Sequence, residues 1–181
     1  MPDGAGASRP ARFAARRIAP DDPGAADVRA LLEAHLALMR SISPPGSVHA
    51  LDVDKLRGPD IAFFSMRESG SGGESGRLLA VGALKRHDGA HGEIKSMHTR
   101  HDLRRSGAGR EMLRHLLAHA HDLGLVRVSL ETGSTPDFAA AHALYRSNGF
   151  VDCGPFADYT ADPFSLFLTR RIDPDETLER P

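Results

Sequence analysis

Arg104-Arg105-Ser106-Gly107-Ala108-Gly109-Arg110 stands between a strand-like segment and a run of helical spacing, and its reading decides the fold. Upstream, Glu93 to Thr99 reads as a strand, with Ile94, Ser96 and His98 expected on one face and Glu93, Lys95, Met97 and Thr99 on the other. Downstream, Met112, Leu113, Leu116, Leu117, Ala120 and Leu123 recur at helical spacing. A helix start presents unpaired main-chain N–H groups and a partial positive charge, which suits a phosphate. Gly107 and Gly109 let a diphosphate approach the main chain, and Arg104, Arg105 and Arg110 add charge of matching geometry. From this stretch alone, a glycine-rich turn with wet surface arginines would read the same way. Two other phosphate motifs are excluded. A P-loop ends in Gly-Lys-Ser/Thr, a triplet the chain lacks. The dinucleotide fingerprint wants a small residue where Met112 stands, and the strands before it look like hairpins rather than a βαβ unit.

Working outward, Phe13 to Ile18 reads as a first strand. Asp21, Asp22 and Pro23 open a helix through Val28, Leu31, Leu32, His35, Leu36 and Met39, which should end before Pro44 and Pro45. Ile61 to Arg67 and Leu78 to Arg86 read as strands joined by a Gly/Ser-rich hairpin connection. Val126 to Glu131 is a further strand, and Pro136 to Asn148 a helix stopped by Gly149. Phe150 to Phe156 and Leu166 to Arg171 are closing strands. Paired strands flanked by helices imply an α+β protein: a mixed, mostly antiparallel sheet of six to seven strands with helices on both faces. One domain over residues 11–172 is expected, with 1–10 and 173–181 as flexible termini.

Four pieces resemble the GNAT superfamily of N-acetyltransferases, in its order and spacing. Glu93 to Thr99 is similar to the cofactor-flanking strand. Arg104-x-x-Gly107-x-Gly109 matches the Gln/Arg-x-x-Gly-x-Gly/Ala signature. Leu125 to Glu131 resembles the strand that splays away to admit pantetheine. Ala141-x-x-Leu144-Tyr145-x-x-x-Gly149-Phe150 matches the closing Ala-x-x-Leu-Tyr-x-x-x-Gly-Phe. The resemblance spans about residues 78–156. It departs at Phe138, where the family often has an Asn that contacts the cofactor, so that contact is lost or replaced.

The resemblance implies acetyl-CoA as co-substrate and direct attack of an amine on its thioester. Cofactor contacts are expected from Met97, His98 and Thr99, whose main-chain N–H groups would serve the carbonyl oxygen, and from Arg104, Arg105, Ser106, Gly107, Ala108, Gly109 and Arg110. The family places a tyrosine at Tyr145 as acid for the departing thiolate, although Tyr145 also shares a helical face with Phe138, Ala141 and Leu144 and would pack there in any case. An amine with pKa near 10 is mostly protonated at neutral pH, and freeing its lone pair costs on the order of 4 kcal/mol without a base. Glu93 and Glu131, on the two strands flanking the cleft, are candidates for that base, with His98 in competition. His49, Asp158 and Tyr159 are expected on the wall of the acceptor pocket, since Pro and aromatic residues stiffen a loop lip and Asp158 would attract a cationic amine.

Bulk properties narrow the partners. Net charge is -1 with pI near 6.8, which lacks the basic surplus nucleic acid asks for. No apolar run approaches a bilayer span, and residues 1–10 lack the apolar core of a signal peptide, so a cytoplasmic address is expected. The single cysteine, Cys153, excludes an intrachain disulfide. His115 and His119 share a helix without the adjacent Glu of a zincin motif, so no metal is expected. The leading expectation is acetyl transfer to a small-molecule amine; an acyl-CoA sensor without catalysis, or transfer to a protein amine, remains open. A homodimer is compatible with the resemblance.

Overall fold

The computed structural model describes residues 15–44, 52–69, 75–87 and 89–178. Strands β1 (Arg16–Pro20), β2 (Ile61–Ser69), β3 (Ser75–Arg86) and β4 (His91–Thr99) form an antiparallel meander. β5 (Arg127–Gly133) joins β4 in parallel, and β7 (Ser165–Arg171) runs antiparallel between β5 and the short edge strand β6 (Val151–Cys153). The sheet order is therefore β1-β2-β3-β4-β5-β7-β6, seven strands with one parallel pair. That parallel pair needs a crossover, and α2 (Ala108–Asp122) supplies it.

Strand alternation sends alternate side chains to two cores. On one face, Met112, Leu113, Leu116 and Leu117 of α2 pack with Phe64, Met66, Leu84, Ile94, Val128, Leu130 and Leu168, together with Tyr145 of α3 (Ala139–Arg146). Gly82 of β3 permits the close approach, since a Cβ there would stand 3.1 Å from both Met112 and Leu116. On the other face, α1 (Ala26–Ile42) buries Val28 and Leu32 against Phe63, Leu78, Val81 and Ala83. Each fully buried side chain of this size contributes about 1.5–3 kcal/mol. Helices cover both faces, as the pattern of strands and helices implies. Among the described residues, no helix is long and apolar enough to cross a membrane.

Three expectations change in detail. Residues 136–148 form a 3-10 turn at Pro136–Phe138 followed by α3, because Phe138 holds φ -94 and ψ 4 rather than a helical pair. The strand expected over residues 150–156 keeps only Val151–Cys153, and a loop rich in turn residues runs on to Ser165. The third change matters most. β4 carries a bulge: Lys95 faces Ala83, yet His98 faces Val81, so one extra residue is inserted, and Ser96 takes φ 50. A bulge inverts the facing of everything beyond it. His98 therefore shares the α1 face with Lys95 and Glu93, not the opposite face with Ile94.

Candidate functional site

β4 and β5 pair only over His91↔Arg127, Gly92↔Val128 and Glu93↔Ser129. Beyond that point β4 stays with β3 to Thr99 and β5 stays with β7 to Gly133, so the two strands part. The gap opens into a cleft of about 1110 Å³, slightly larger than ordinary ligand sites of roughly 300–1,000 Å³. One wall is β4 from Ile94 to Thr99, and another is Glu131 to Gly133 with Phe138, Ala141, Leu144 and Tyr145. The start of α2 closes one end and the C-terminal half of α1 borders another.

At the α2 end, Gly107 caps the helix with φ 89, a left-handed conformation that favours glycine, and Arg105 is left-handed as well at φ 65. The first intrahelical bond runs from Glu111 N–H to the Gly107 carbonyl, so the N–H groups before it have no helical acceptor. Arg104, Arg105, Gly107, Gly109 and Arg110 line the cleft; Ala108 is buried beneath it, and Ser106 Oγ lies 3.5 Å from the Ala108 N–H. A Cβ on Gly109 would touch Thr99 Oγ1 at 3.4 Å, so this turn sits against the end of β4. Arg16 braces the loop from β1, donating to the Ser106 carbonyl at 3.1 Å and to Glu111 Oε1 at 2.7 Å. Open helix N–H groups, three arginines and an adjoining apolar trench fit a diphosphate carrying a long flexible arm.

Tyr145 borders the cleft and stacks edgewise on Phe150, 5.7 Å between ring centres. Burial, and to a lesser extent the Glu131 carboxylate, raises its pKa well above the ordinary tyrosine value, so its hydroxyl stays protonated. Glu131 lines the same cleft and accepts a hydrogen bond from Ser165 Oγ at 2.7 Å. Phe138, the departure from the family pattern, is buried in the wall against Gly133. Met97, His98 and Thr99 all line the cleft beside the bulge. His98 stacks on His35 of α1 at 4.4 Å between ring centres. Burial lowers His35 to about 4, with help from Arg104, and lowers His98 to about 3, with help from His35 and Arg104. Both rings are neutral at pH 7.

Glu93 does not line the cleft. It sits on the α1 face of β4 at the last β4–β5 pair, short of where the strands part, and its carboxylate accepts from Tyr159 Oη at 2.6 Å and His87 Nε2 at 2.9 Å and pairs with Lys95 Nζ at 3.1 Å. Tyr159 also accepts a hydrogen bond from Lys95, and its ring rests 5.5 Å from Phe167. Tyr159 therefore pins the loop before β7 to β4 beside the cleft, which only Lys95 of this cluster lines. Asp158 is exposed and off the wall, and His49 lies outside the described residues. Among the described residues, no group of three or more His, Cys, Asp or Glu stands together as a metal site. His115 and His119 instead pack edgewise on Phe64 at 4.6 and 5.0 Å. The residues that line or brace the cleft and that the sequence did not single out are Arg16, His35, Lys95 and Ser96. The charge alternation Glu93–Lys95 was a visible signal; the others depend on contacts distant in the chain.

Comparison with known proteins agrees with this arrangement. Residues 30–150 match the model of the acetyltransferase (GNAT) family. The uncharacterized N-acetyltransferase YedL of Escherichia coli (strain K12) is 48% identical over 152 residues, 84% of this chain and 92% of that protein. An IAA acetyltransferase of Azospirillum brasilense is 35% identical over 156 residues, 86% of this chain and 97% of that protein. Among solved structures, an acyl-CoA N-acyltransferase from Klebsiella pneumoniae superposes with a TM-score of 0.68 at 26% identity, covering 86% of this chain and 97% of its own.

Proposed function

The chain belongs to the GNAT acetyltransferase family, whose members take their acyl group from acetyl-CoA, and from that premise we propose that it acetylates the primary amine of a small molecule within a single domain over residues 11–172. The observation that carries this reading is the parting of β4 from β5, which opens one cleft onto the α2 N-terminus, Glu131 and Tyr145 together. Arg104, Arg105, Arg110 and the N–H groups opening α2 would hold the diphosphate, and the β4 wall would align the arm. Acetyl-CoA supplies a thioester whose carbonyl the amine attacks. Main-chain N–H groups from Met97 to Thr99 are the proposed donors to the carbonyl oxygen.

As the N–C bond forms and the C–S bond breaks, the amine releases a proton and the sulfur leaves as a thiolate. Glu131, on the wall, is a better placed acceptor for that proton than Glu93, whose carboxylate is already held by Lys95, Tyr159 and His87. His98 is too weak a base, because burial holds it neutral down to about pH 3. Tyr145 is the proposed acid. Its raised pKa keeps it loaded, yet it disfavours complete transfer to a thiol of pKa about 8.5, so its contribution is a hydrogen bond to the departing sulfur. The Azospirillum brasilense relative, named for acetylating IAA, supports a small-molecule acceptor over a protein one.

The test is release of the CoA thiol from acetyl-CoA across a panel of amines and amino acids. Amine-dependent release supports the transferase. Tight acetyl-CoA binding with no release across the panel would replace it with an acyl-CoA sensor.

A further inference from the structure

Two polar atoms in the wall of the cleft are buried without any hydrogen-bond partner among the described residues: Nδ1 of His35 and Oγ of Ser96. Leaving such a group dry and unpaired costs about 1–3 kcal/mol, so each marks a place where a partner is expected. They belong to different elements. His35 comes from α1, and Ser96 from the bulge of β4, whose φ of 50 breaks the strand at this spot. His98, brought to the α1 face by the bulge, stacks on His35, and Ser96 lines the same cleft two residues before it. Leu38, Met39 and Ile42 of α1, each half-buried, continue the same lining.

We propose that His35, Ser96 and His98, floored by Leu38, Met39 and Ile42, form the pocket that selects the acceptor, and that they take an amine with a flat apolar body carrying one uncharged hydrogen-bonding group. This rests on the transferase reading above. The apolar floor and the imidazole rings suit a planar ring or long alkyl body, in the manner of apolar ligand sites oriented by a few polar groups. The two unpartnered atoms supply hydrogen bonds for a hydroxyl or amide. A second cationic group on the acceptor would find no counter-charge at the histidines, which are neutral at pH 7 and face the Arg104 guanidinium. At this end of the cleft a polyamine is therefore held more weakly than an amine with an uncharged hydroxyl.

The experiment measures binding of tyramine, 2-phenylethylamine and spermidine to the CoA-loaded protein by calorimetry, and in parallel thiol release from acetyl-CoA with each. Tyramine is expected to bind about tenfold more tightly than spermidine. His35→Phe and Ser96→Ala should each weaken tyramine about fivefold, the loss of one hydrogen bond. Both should leave 2-phenylethylamine and acetyl-CoA within about twofold. A purely structural role for these residues would weaken all ligands together, and that result overturns the proposal, as does tighter binding of spermidine. Tyramine binding without thiol release sinks the transferase reading and leaves the pocket standing. Release with spermidine but not tyramine does the reverse.

Discussion

Gly133 and Phe138 make a contact whose disruption can be calculated. A Cβ placed on Gly133 would stand 2.2 Å from Cε2 of Phe138 and 2.5 Å from two further ring atoms, against an ordinary contact of 3.4 Å or more. In Gly133→Ala the ring must therefore recede by about 1.2 Å, the difference of those distances. Phe138 is 8% exposed, so most of its ring is already packed and has little free space to recede into. Overpacking of this kind costs about 1–3 kcal/mol. At roughly 2–4 °C per kcal/mol for a chain this long, a cost of about 2 kcal/mol lowers the melting temperature by about 4–8 °C. Thermal denaturation of the wild type, Gly133→Ala, Phe138→Ala and the double variant checks this as a cycle. Phe138→Ala alone should destabilise through the cavity it leaves, while Gly133→Ala should cost almost nothing in that background. Equal melting of Gly133→Ala and wild type, or a full cost persisting without the ring, would refute the assigned packing.

Tyr145→Phe should lower turnover about tenfold while leaving acetyl-CoA affinity nearly unchanged, read by steady-state kinetics and calorimetry; unchanged turnover removes the hydroxyl from the mechanism. Arg16→Leu should weaken acetyl-CoA binding a few-fold, since it releases the Ser106 carbonyl and Glu111 that brace the phosphate loop. Acid stability follows from His35 and His98. Their folded pKa values, about 4 and about 3, lie below the ordinary 6.5, so the unfolded chain binds more protons between those values. Stability is then fully present above pH 6.5 and falls as pH drops toward 4, by about 1.4 kcal/mol per pH unit for each ring. Urea midpoints at pH 7 and pH 5 measure it, and His35→Phe should flatten the slope; equal midpoints for the wild type would contradict the burial of these rings.

Much of this protein was legible because its signals are local. The glycines opening α2 announce themselves by spacing, and Tyr145 falls in a helix whose stop, Gly149, takes φ 83. The sheet class followed from paired strands flanked by helices. Helical period marked Val28 and Leu32 of α1 and Met112 to Ala120 of α2 as core-facing, though Leu123 at the end of that run is exposed. The bulge at Ser96 left no such mark, since no glycine or proline flags it, and a single inserted residue reverses which face His98 occupies. The His35–His98 stack joins residues 63 positions apart, and Arg16 reaches a carbonyl 90 residues away. Glu93 looked like a cleft carboxylate because strand alternation cannot reveal that β4 and β5 are still paired at Glu93, or that Tyr159, from a loop near the far end of the domain, caps its carboxylate. Side chains that meet only through tertiary folding carry no period to read.

The account turns on the grip of the α2 N-terminus on a diphosphate. Calorimetric titration of the folded protein with coenzyme A tests it most directly, with Gly107→Val as the comparison, since a β-branched residue is strained at φ 89. Saturable binding by the wild type, weakened about tenfold or more in the variant, is the predicted result. No heat of binding from correctly folded wild type, or equal binding by the two proteins, would contradict it.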